Sequence, residues 1–434
     1  MKVASIRWFI LLVWFAPSAT IGQTWTELDA PGPSARHTPA AIYDPLGERI
    51  ILFGGRGSSG DLNDVWAFRL ESDSWQQLQP SGTGPTPRFS HNAVYDASGQ
   101  RMLIWSGRSL DASGSTLLND VWALDLRTHY WTLLEATMAA PVARYGTAAV
   151  FALVAGQLVS FAGFTTQGRF DGTWCFDPER RTWQDVTSAS PQPGERCLHA
   201  TAFDSQRRRM IIFGGQRGSA ALDDAWALDL ATDQWTALPS VPATGGRKFP
   251  AVTYDPSADH LLVFGGETTA GTRGGDLWVL DLPGQFWSVL TTTGPSPRDG
   301  AVLVHVPSQS RLILFGGTTP DGNAGDTWSL PLPGPPTAVS QQKSVRPASL
   351  SLQAFPNPFN ASVVLETQLR ETGRLTIHNT LGQPVRRLGP APIGASRRVW
   401  DGRDDAGGRM ASGVYLAVLE SAAARQVRRL ILLR

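Results

Sequence analysis

Residues 50–55 read Ile50-Ile51-Leu52-Phe53-Gly54-Gly55, and this stretch decides the fold because versions of it occur six times along the chain. Arg36 precedes it, and Asp64-Val65-Trp66 and Trp75-Gln76-Gln77-Leu78 follow it. The period is about 52 residues, a spacing that is typical of solenoids, propellers or arrays. The repeat also explains the 16 Trp and 44 Gly among the 434 residues.

Each copy contains four strand-like runs separated by turn signals. In the first copy, residues 40–43 form the first run and residues 44–47 form a turn. The second run, 50–53, is continuously apolar, which suits a strand buried on both faces, and the glycine pair after it allows a tight turn at positive φ. The third and fourth runs cover 65–68 and 74–78. Four antiparallel strands arranged radially predict a β-propeller blade, with tryptophans between neighbouring blades.

The tryptophan of the fourth run shows how the ring of blades closes. It follows the third run at five places, Trp75, Trp131, Trp183, Trp235 and Trp287, and it is missing after Trp328. The sixth instance is Trp25-Thr26-Glu27-Leu28, near the start of the chain. We therefore predict that residues 24–29 supply the outer strand of the last blade and remove an open edge. The predicted fold class is all-β, a six-bladed β-propeller closed by an N-terminal strand and followed by a small β-sandwich.

The six copies resemble the kelch-repeat β-propellers, including the central domain of galactose oxidase, over roughly residues 24–333. The resemblance implies the fold and not an activity. A copper oxidase of that type would need tyrosine and histidine ligands and a tyrosine–cysteine cross-link. This chain has 6 Tyr, three of them in one repeated strand slot, and 2 Cys outside any copper-like context, and its 7 His show no zinc spacing. We predict no catalytic residue, no metal and no cofactor, and a protein that is not an enzyme.

The loops of one propeller face are the predicted place for a ligand. The connections between second and third strands and those between consecutive blades lie on the same face, and the first set varies in length and content. Loops on a rigid scaffold commonly carry recognition. Arg56, Arg108 and Arg169 lie in these variable loops and are candidate binding residues.

Six repeated arginines begin the innermost strands at the same face, and they are Arg36, Arg88, Arg144, Arg196, Arg247 and Arg298. A ring of guanidinium groups could bind an anionic ligand such as an acidic sugar. Five aspartates begin third strands at the same end, however, and they are Asp64, Asp120, Asp224, Asp276 and Asp326. We favour Arg–Asp pairing over a binding site. Arg144 is the exception, because its copy has Gly172 at the Asp position and a displaced Asp171.

The two ends of the chain suggest export. Lys2, Arg7 and the apolar run 8–16 predict a signal peptide over residues 1–22, with an uncleaved membrane anchor as the alternative. We predict no other membrane span.

Cys175 and Cys197 are too few for a disulfide-built fold, and buried thiols are favoured over a bridge between them.

The tail carries a second set of motifs after a Pro/Gly/Ser-rich linker predicted at 334–351. Residues 352–434 resemble the C-terminal sorting domains of the type IX (Por) secretion system and the related FlgD-like immunoglobulin-type module. The residues that carry the resemblance are Pro356, Asn357, Pro358, Phe359, Gly382, Trp400, Asp401, Gly402, Gly413 and Tyr415. The resemblance implies passage across an outer membrane. An ordinary terminal β-sandwich is the alternative.

These observations together predict a binding protein that is secreted or displayed on the outer-membrane surface of a Gram-negative-type bacterium. Its predicted domains are a signal peptide (1–22), the propeller (23–333), the linker (334–351) and the sorting domain (352–434). The expected ligand is a glycan or a protein, and the second expected partner is the outer-membrane secretion machinery. The net charge of +1 favours no class of charged partner, and we expect no nucleic acid and a monomer. A secreted carbohydrate-active enzyme and a structural surface component are the alternatives.

Overall fold

A computed structural model describes residues 23–333, apart from 138–139, 189–190, 242–244 and 291, and residues 350–433, apart from 356–358, 360–361, 370–371, 380–382, 393 and 422–424. The chain divides into two compact units, Met1–Thr337 and Ala338–Arg434. The predicted signal peptide and most of the predicted linker lie outside the described residues. The predicted domain boundaries therefore stay predictions.

Six antiparallel sheets, one for each repeat, make up the described part of the first unit. We call them blades 1 to 6 and label their strands A (innermost) to D (outermost). Blades 1 to 3 consist of Ala40–Asp44, Arg49–Gly57, Gly60–Arg69 and Ser74–Leu78; Asn92–Asp96, Arg101–Trp105, Val121–Asp125 and Trp131–Leu133; and Ala148–Ala152, Gln157–Thr165, Gly168–Asp177 and Thr182–Asp185. Blades 4 to 6 consist of Ala200–Asp204, Arg209–Phe213, Ala225–Asp229 and Gln234–Leu238; Ala251–Asp255, His260–Phe264, Leu277–Asp281 and Phe286–Leu290; and Val302–Val306, Arg311–Phe315, Thr327–Pro331 and Thr26–Leu28.

Short additional elements lie at the blade ends. Arg36–His37 pairs with strand B of blade 1, and a 3₁₀ turn covers Pro307–Gln309. Small hairpins between strands B and C are formed by Arg108–Asp111 with Gly114–Leu117, Gln216–Arg217 with Ala220–Ala221, and Thr318–Thr319 with Gly322–Asn323.

The last blade takes its outer strand from the start of the chain, as the tryptophan count predicts. Thr26–Leu28 pairs antiparallel with Thr327–Pro331, with Thr26 opposite Ser329 and Leu28 opposite Thr327. Trp25 is buried, and its amide donates to the carbonyl of Thr293 at 3.0 Å. One sheet thus holds both ends of the propeller sequence, and the predicted closure is confirmed.

The centre of the propeller is closed by a circle of backbone hydrogen bonds, which we call the amide ring. Each of six residues donates its amide to the carbonyl of its counterpart in the preceding blade, at 2.7 to 3.1 Å. The ring residues are Thr38, Ser90, Gly146, Leu198, Phe249 and Gly300. All six have φ between +46° and +63°, a conformation that costs energy for the four that are not glycine. The closed ring satisfies six amides that would otherwise face the channel.

Aromatic pairs connect each blade to the one before it. The tryptophan in strand D, or directly before it in blade 6, packs against the strand B aromatic of the preceding blade, with ring centroids 4.4 to 5.7 Å apart. The pairs are Trp75–Phe315, Trp131–Phe53, Trp183–Trp105, Trp235–Phe161, Trp287–Phe213 and Trp25–Phe264. The prediction that tryptophans fill the space between blades is confirmed.

The second unit is a small β-sandwich, as predicted. One sheet has the order Leu350–Phe355, Val363–Leu369, Gly394–Trp400, and the other has the order Pro384–Ala391, Gly373–His378, Gly413–Ser421, Arg425–Leu432. Buried side chains from both sheets form one hydrophobic core. Phe359, Trp400 and Tyr415 belong to this core, with centroids 5.5 and 5.1 Å apart along the series.

The other tail residues singled out from the sequence have separate positions. Gly402 is buried with φ +68°, Asp401 is exposed, and Gly413 begins a strand. Pro356, Asn357, Pro358 and Gly382 lie outside the described residues. The three aromatics therefore have a packing role that any small β-sandwich requires.

Candidate functional site

Five of the six repeated arginines form ion pairs inside their own blades. In blade 1, Arg36 Nη1 donates to Asp64 Oδ1 at 2.6 Å, Nη2 donates to Oδ2 at 2.9 Å, and Nη1 also donates to the carbonyl of Gly54 at 3.0 Å. Trp66 Nε1 donates to the same carboxylate at 2.7 Å. The equivalent pairs are Arg88–Asp120, Arg196–Asp224, Arg247–Asp276 and Arg298–Asp326. These arginines are buried and hold strands A, B and C together, so their role is structural.

The electrostatics of the aspartates agree with this pairing. Burial raises the pKa of Asp64, Asp120, Asp224 and Asp326, but the hydrogen bonds and charge of the paired arginine, together with the tryptophan N–H, outweigh burial. The pKa of each of these carboxyl groups therefore lies below its usual value. The ionised form is the one that the folded blade stabilises.

Arg144 in blade 3 is the exception that the sequence indicates. Arg144 is only 4 % exposed, and it donates from Nε to Val142 O at 2.8 Å and from Nη1 to Ala162 O at 3.1 Å. Among the described residues no carboxylate lies within ion-pair distance of it. Burial lowers the pKa of Arg144 to about 10, and the charge of Asp185 opposes that shift. Asp171 instead accepts a hydrogen bond from Gln192 at 3.3 Å.

A variable backbone rung lies next to each repeated arginine on the loop face. The residue after the arginine forms a β-bridge with a residue just beyond the glycine pair of the same blade. The rungs are His37–Arg56, Phe89–Arg108, Tyr145–Phe164, Cys197–Gln216, Lys248–Glu267 and Asp299–Thr318. The scaffold thus presents six equivalent positions with different side chains.

The rungs of blades 1 to 3 carry arginines and aromatic rings that stack on one another. Arg56 lies 5.5 Å from the Phe89 centroid, and Arg108 lies 5.9 Å from Phe89 and 5.7 Å from Tyr145. The Tyr145 and Phe164 centroids are 5.6 Å apart, and the Arg169 guanidinium is 5.4 Å from that of Phe164. We call this set the Arg/aromatic arc, and it consists of Arg56, Phe89, Arg108, Tyr145, Phe164 and Arg169.

The arc brings together three arginines that the sequence singles out and three aromatics that it does not. Arg56, Arg108 and Arg169 occupy loops that vary between the copies, and this variability indicates them as candidates. Phe89 and Tyr145 directly follow repeated arginines, and their signal is the change of residue type at a fixed position of the repeat. A comparison of the residue after the repeated arginine across the six copies would have found Phe89 and Tyr145.

The charge of the arc is only partly neutralised. Arg56 pairs with Asp61. Arg108 donates to Ser115 Oγ at 2.7 Å and Arg169 to the carbonyl of Gly218 at 3.0 Å, and neither has a carboxylate within ion-pair distance in the described chain. The charges on the rungs of blades 5 and 6 are neutralised instead. Lys248 pairs with Glu267 at 3.0 Å, and Asp299 pairs with the loop residue Arg273 at 2.5 Å.

Within the part of the chain that the structure describes, metal-ligating side chains form no cluster at this face. The described residues contain no group of three or more His, Cys, Asp or Glu placed to hold a metal ion. His91 and His199 line the central channel and pack edge-on against Phe53 and Phe161 of the preceding blades, and burial lowers the pKa of each to about 3. Both cysteines are free and buried, and burial raises the pKa of Cys175 to about 12.

Comparison with known proteins identifies the repeat. The family model described as "KLHDC2/KLHL20/DRC7 Kelch-repeats domain" matches residues 12–202, and the Kelch motif model matches residues 200–242. The chain contains kelch repeats. The matches agree with the propeller geometry of the first unit.

Similar proteins are much longer than the matched segment. The chain is 27 % identical to the leucine-zipper-like transcriptional regulator 1 homolog of Drosophila melanogaster, over 59 % of this chain and 26 % of that protein. It is 28 % identical to human leucine-zipper-like transcriptional regulator 1, over 62 % and 32 %. Acyl-CoA-binding domain-containing protein 5 of Arabidopsis thaliana is 26 % identical, over 66 % and 45 %. The kelch chain thus spans less than half the length of these relatives.

The predicted localisation is wrong. The relatives are eukaryotic proteins, including regulators from Drosophila, human and mouse, which contradicts a secreted or surface protein of a Gram-negative-type bacterium. The kelch match begins at residue 12, inside the predicted signal peptide, and nothing in the matches supports a sorting domain or secretion machinery. The aromatic residues of the tail are a weak signal for sorting, because the core of any small β-sandwich requires such residues. No helix among the described residues is long and apolar enough to cross a bilayer.

Proposed function

We propose that the propeller is a protein-binding module and that its binding surface is the Arg/aromatic arc on the loop face of blades 1 to 3. The observation that carries the proposal is the presence of Arg108 and Arg169 on aromatic rings without carboxylate partners. Arginine and aromatic side chains are enriched at the centres of protein interfaces. An unpaired guanidinium held on a ring loses little side-chain entropy when it binds, since its position is already restricted.

The charge of the arc selects the class of partner. A protein segment rich in Asp and Glu would supply carboxylates to Arg108 and Arg169, and its apolar residues would lie on Tyr145 and Phe164. Guanidinium groups bind carboxylates through two parallel hydrogen bonds, which fixes orientation as well as affinity. We therefore propose an acidic segment of a partner protein as the ligand. An acidic glycan is the second ligand class that this surface could bind.

Charge reversal on the full chain tests the proposal. The probe is an array of short acidic, neutral and basic peptides, read beside an array of acidic glycans. We expect preferential binding of acidic peptides and a loss of about tenfold or more in the Arg108→Glu/Arg169→Glu variant. Arg127→Glu is the matched control, because Arg127 is exposed on the turn between strands C and D at the opposite end of blade 2.

Two outcomes would contradict the proposal. Equal affinity of the double variant and the unaltered chain for acidic peptides would exclude the arc as the site. Binding confined to acidic glycans, and lost in the double variant, would contradict the acidic peptide as the ligand. The arc would then be the binding surface for an acidic glycan.

A further inference from the structure

Blade 3 has an unfilled place in an otherwise repeated arrangement. In the other five blades an aspartate carboxylate accepts hydrogen bonds from the buried arginine and from the indole N–H two residues further on. In blade 3 the arginine is Arg144 and the indole belongs to Trp174, but the position of the aspartate is Gly172. Both donors are present and the acceptor is missing.

The missing carboxylate would lie at the surface. The five aspartates that fill this place in the other blades are 21–28 % exposed, although their arginine partners are buried. Gly172 is likewise only half-buried. A carboxylate arriving from solvent can therefore reach the position that an aspartate occupies elsewhere.

Among the neighbours that the structure describes, none takes over the acceptor role. Asp171 faces Gln192, and Asp185 accepts from the amide and hydroxyl of Thr187. Phe170 lies 5.7 Å from the Arg144 guanidinium and shields one of its faces. A cation held this deeply without an anion is costly, so binding of an anion there is favourable.

We infer that blade 3 contains a carboxylate-binding site, formed by Arg144, Trp174 and the space beside Gly172, in which a ligand supplies the carboxylate that the chain lacks. The size of the place favours a carboxylate, because an aspartate side chain fills it in five blades. The source is an acidic side chain or a chain terminus of a partner. The inference goes beyond the arc and does not depend on it, since the two sites use different residues.

Acetate is the probe for this site. We expect the Tm of the full chain to rise with sodium acetate, relative to sodium chloride at equal ionic strength, by about 2 °C at ten times the Kd. The rise should be small below the Kd and should increase with the logarithm of the acetate concentration above it. In Gly172→Asp the acetate response should vanish, because the chain then supplies its own carboxylate.

Blade 4 provides the matched control. Asp224→Gly removes the partner of Arg196 and recreates the arrangement of blade 3, so this variant should gain an additional acetate response. A Cβ at Gly172 would lie 3.2 Å from Trp174 Nε1 and 3.4 Å from Thr187 Oγ1, so Gly172→Asp needs only small shifts. Trp174→Phe, which removes the indole donor, gives a second test that adds no atoms at residue 172.

The outcomes separate this site from the arc. An equal acetate response in the unaltered chain, Gly172→Asp and Trp174→Phe would overturn the inference, whatever the peptide array shows. An acetate response that persists in Arg108→Glu/Arg169→Glu would support it independently of the proposed function. Acetylglycine carries a terminal carboxylate, and a capped aspartate carries a side-chain carboxylate. The compound that raises the Tm at the lower concentration then indicates which of the two sources fits the site.

Discussion

The repeated arginines show how one residue type can have two electrostatic situations in one fold. Arg88 is fully buried and bound to both oxygens of Asp120, at 2.7 and 2.8 Å. Arg144 has the same backbone position in blade 3 and bonds only to carbonyl oxygens. The first is one half of an ion pair, and the second is a buried charge whose partner must come from elsewhere.

This difference predicts unequal effects of the same substitution. Arg88→Met leaves the Asp120 carboxylate without its cation, and we expect a loss of about 3 kcal/mol in the free energy of unfolding. Arg144→Met removes an unpaired buried charge and should cost clearly less. Urea unfolding of both variants measures the contrast, with the exposed Arg127→Met as control. Equal losses for the two buried positions would show that Arg144 has an internal partner of equal strength.

The two channel histidines predict an acid-sensitive stability. Burial, reinforced by the charges of Arg88 and Arg196, holds the pKa of His91 and His199 near 3 in the folded state, against an ordinary value of 6.5. The unfolded chain therefore binds more protons between these pH values. The contribution of the two histidines to the free energy of unfolding is complete well above pH 6.5. It falls as the pH decreases toward 3, by at most about 1.4 kcal/mol per pH unit for each histidine.

A threonine variant isolates this contribution from that of the carboxylates. Thr147 occupies the equivalent position in blade 3, so His91→Thr/His199→Thr uses a residue that the fold already accepts there. Urea unfolding between pH 4 and 7 should show a shallower pH dependence in the double variant. An unchanged slope would mean that neither histidine is held neutral by the fold.

At the scale of single strands, the outer strand D carries the contact between blades. Its tryptophan reaches back to the preceding blade, and in blade 2 Trp131 lies 5.4 Å from Phe53 and 6.5 Å from Trp122. A Cβ at Gly84 would lie 3.1 Å from the Trp131 ring, so the loop before the blade leaves room for the indole. An outer strand, which in isolation would be a poorly buried edge, thus becomes part of the core.

Truncation of this indole should therefore be costly. Trp131→Ala is expected to lower the free energy of unfolding by about 3–5 kcal/mol, because it leaves a cavity between two blades. Phe286→Ala, on strand D of blade 5, is the control, since Phe286 is largely exposed. Chemical denaturation measures both, and a loss below about 1 kcal/mol for Trp131→Ala would show that the blades do not depend on this contact.

At the scale of the propeller, closure depends on the first described residues. Thr26–Leu28 completes blade 6, and Trp25 packs against Phe264 of blade 5. Deleting residues 23–30 should sharply lower the Tm of the propeller, because blade 6 would lose a strand and its tryptophan together. The control is Thr26→Ala/Glu27→Ala, which keeps the backbone pairing and alters only exposed side chains. An unchanged Tm after the deletion would refute closure by this strand.

The period of the sequence determined the architecture. Six second strands, six third strands and five internal fourth strands leave one place that only Trp25 to Leu28 can fill, so blade number and closure follow from counting. This works because each blade is built from local patterns, an apolar run, a glycine pair and two tryptophan positions. The same count placed Arg56, Arg108 and Arg169 in the variable loops of one face, and a binding role for them stays a prediction.

Only the tertiary structure decided which residues meet across blades. Three features join residues from separate runs of the chain. They are the stacking of Arg108 on Tyr145, the amide ring that holds Leu198 and Phe249 at positive φ, and the unfilled place beside Gly172. Periodicity places equivalent residues in equivalent positions, but it does not say which neighbouring side chains will pair or stack. Those outcomes depend on distances of a few ångströms between groups far apart in sequence, and the fold alone sets those distances.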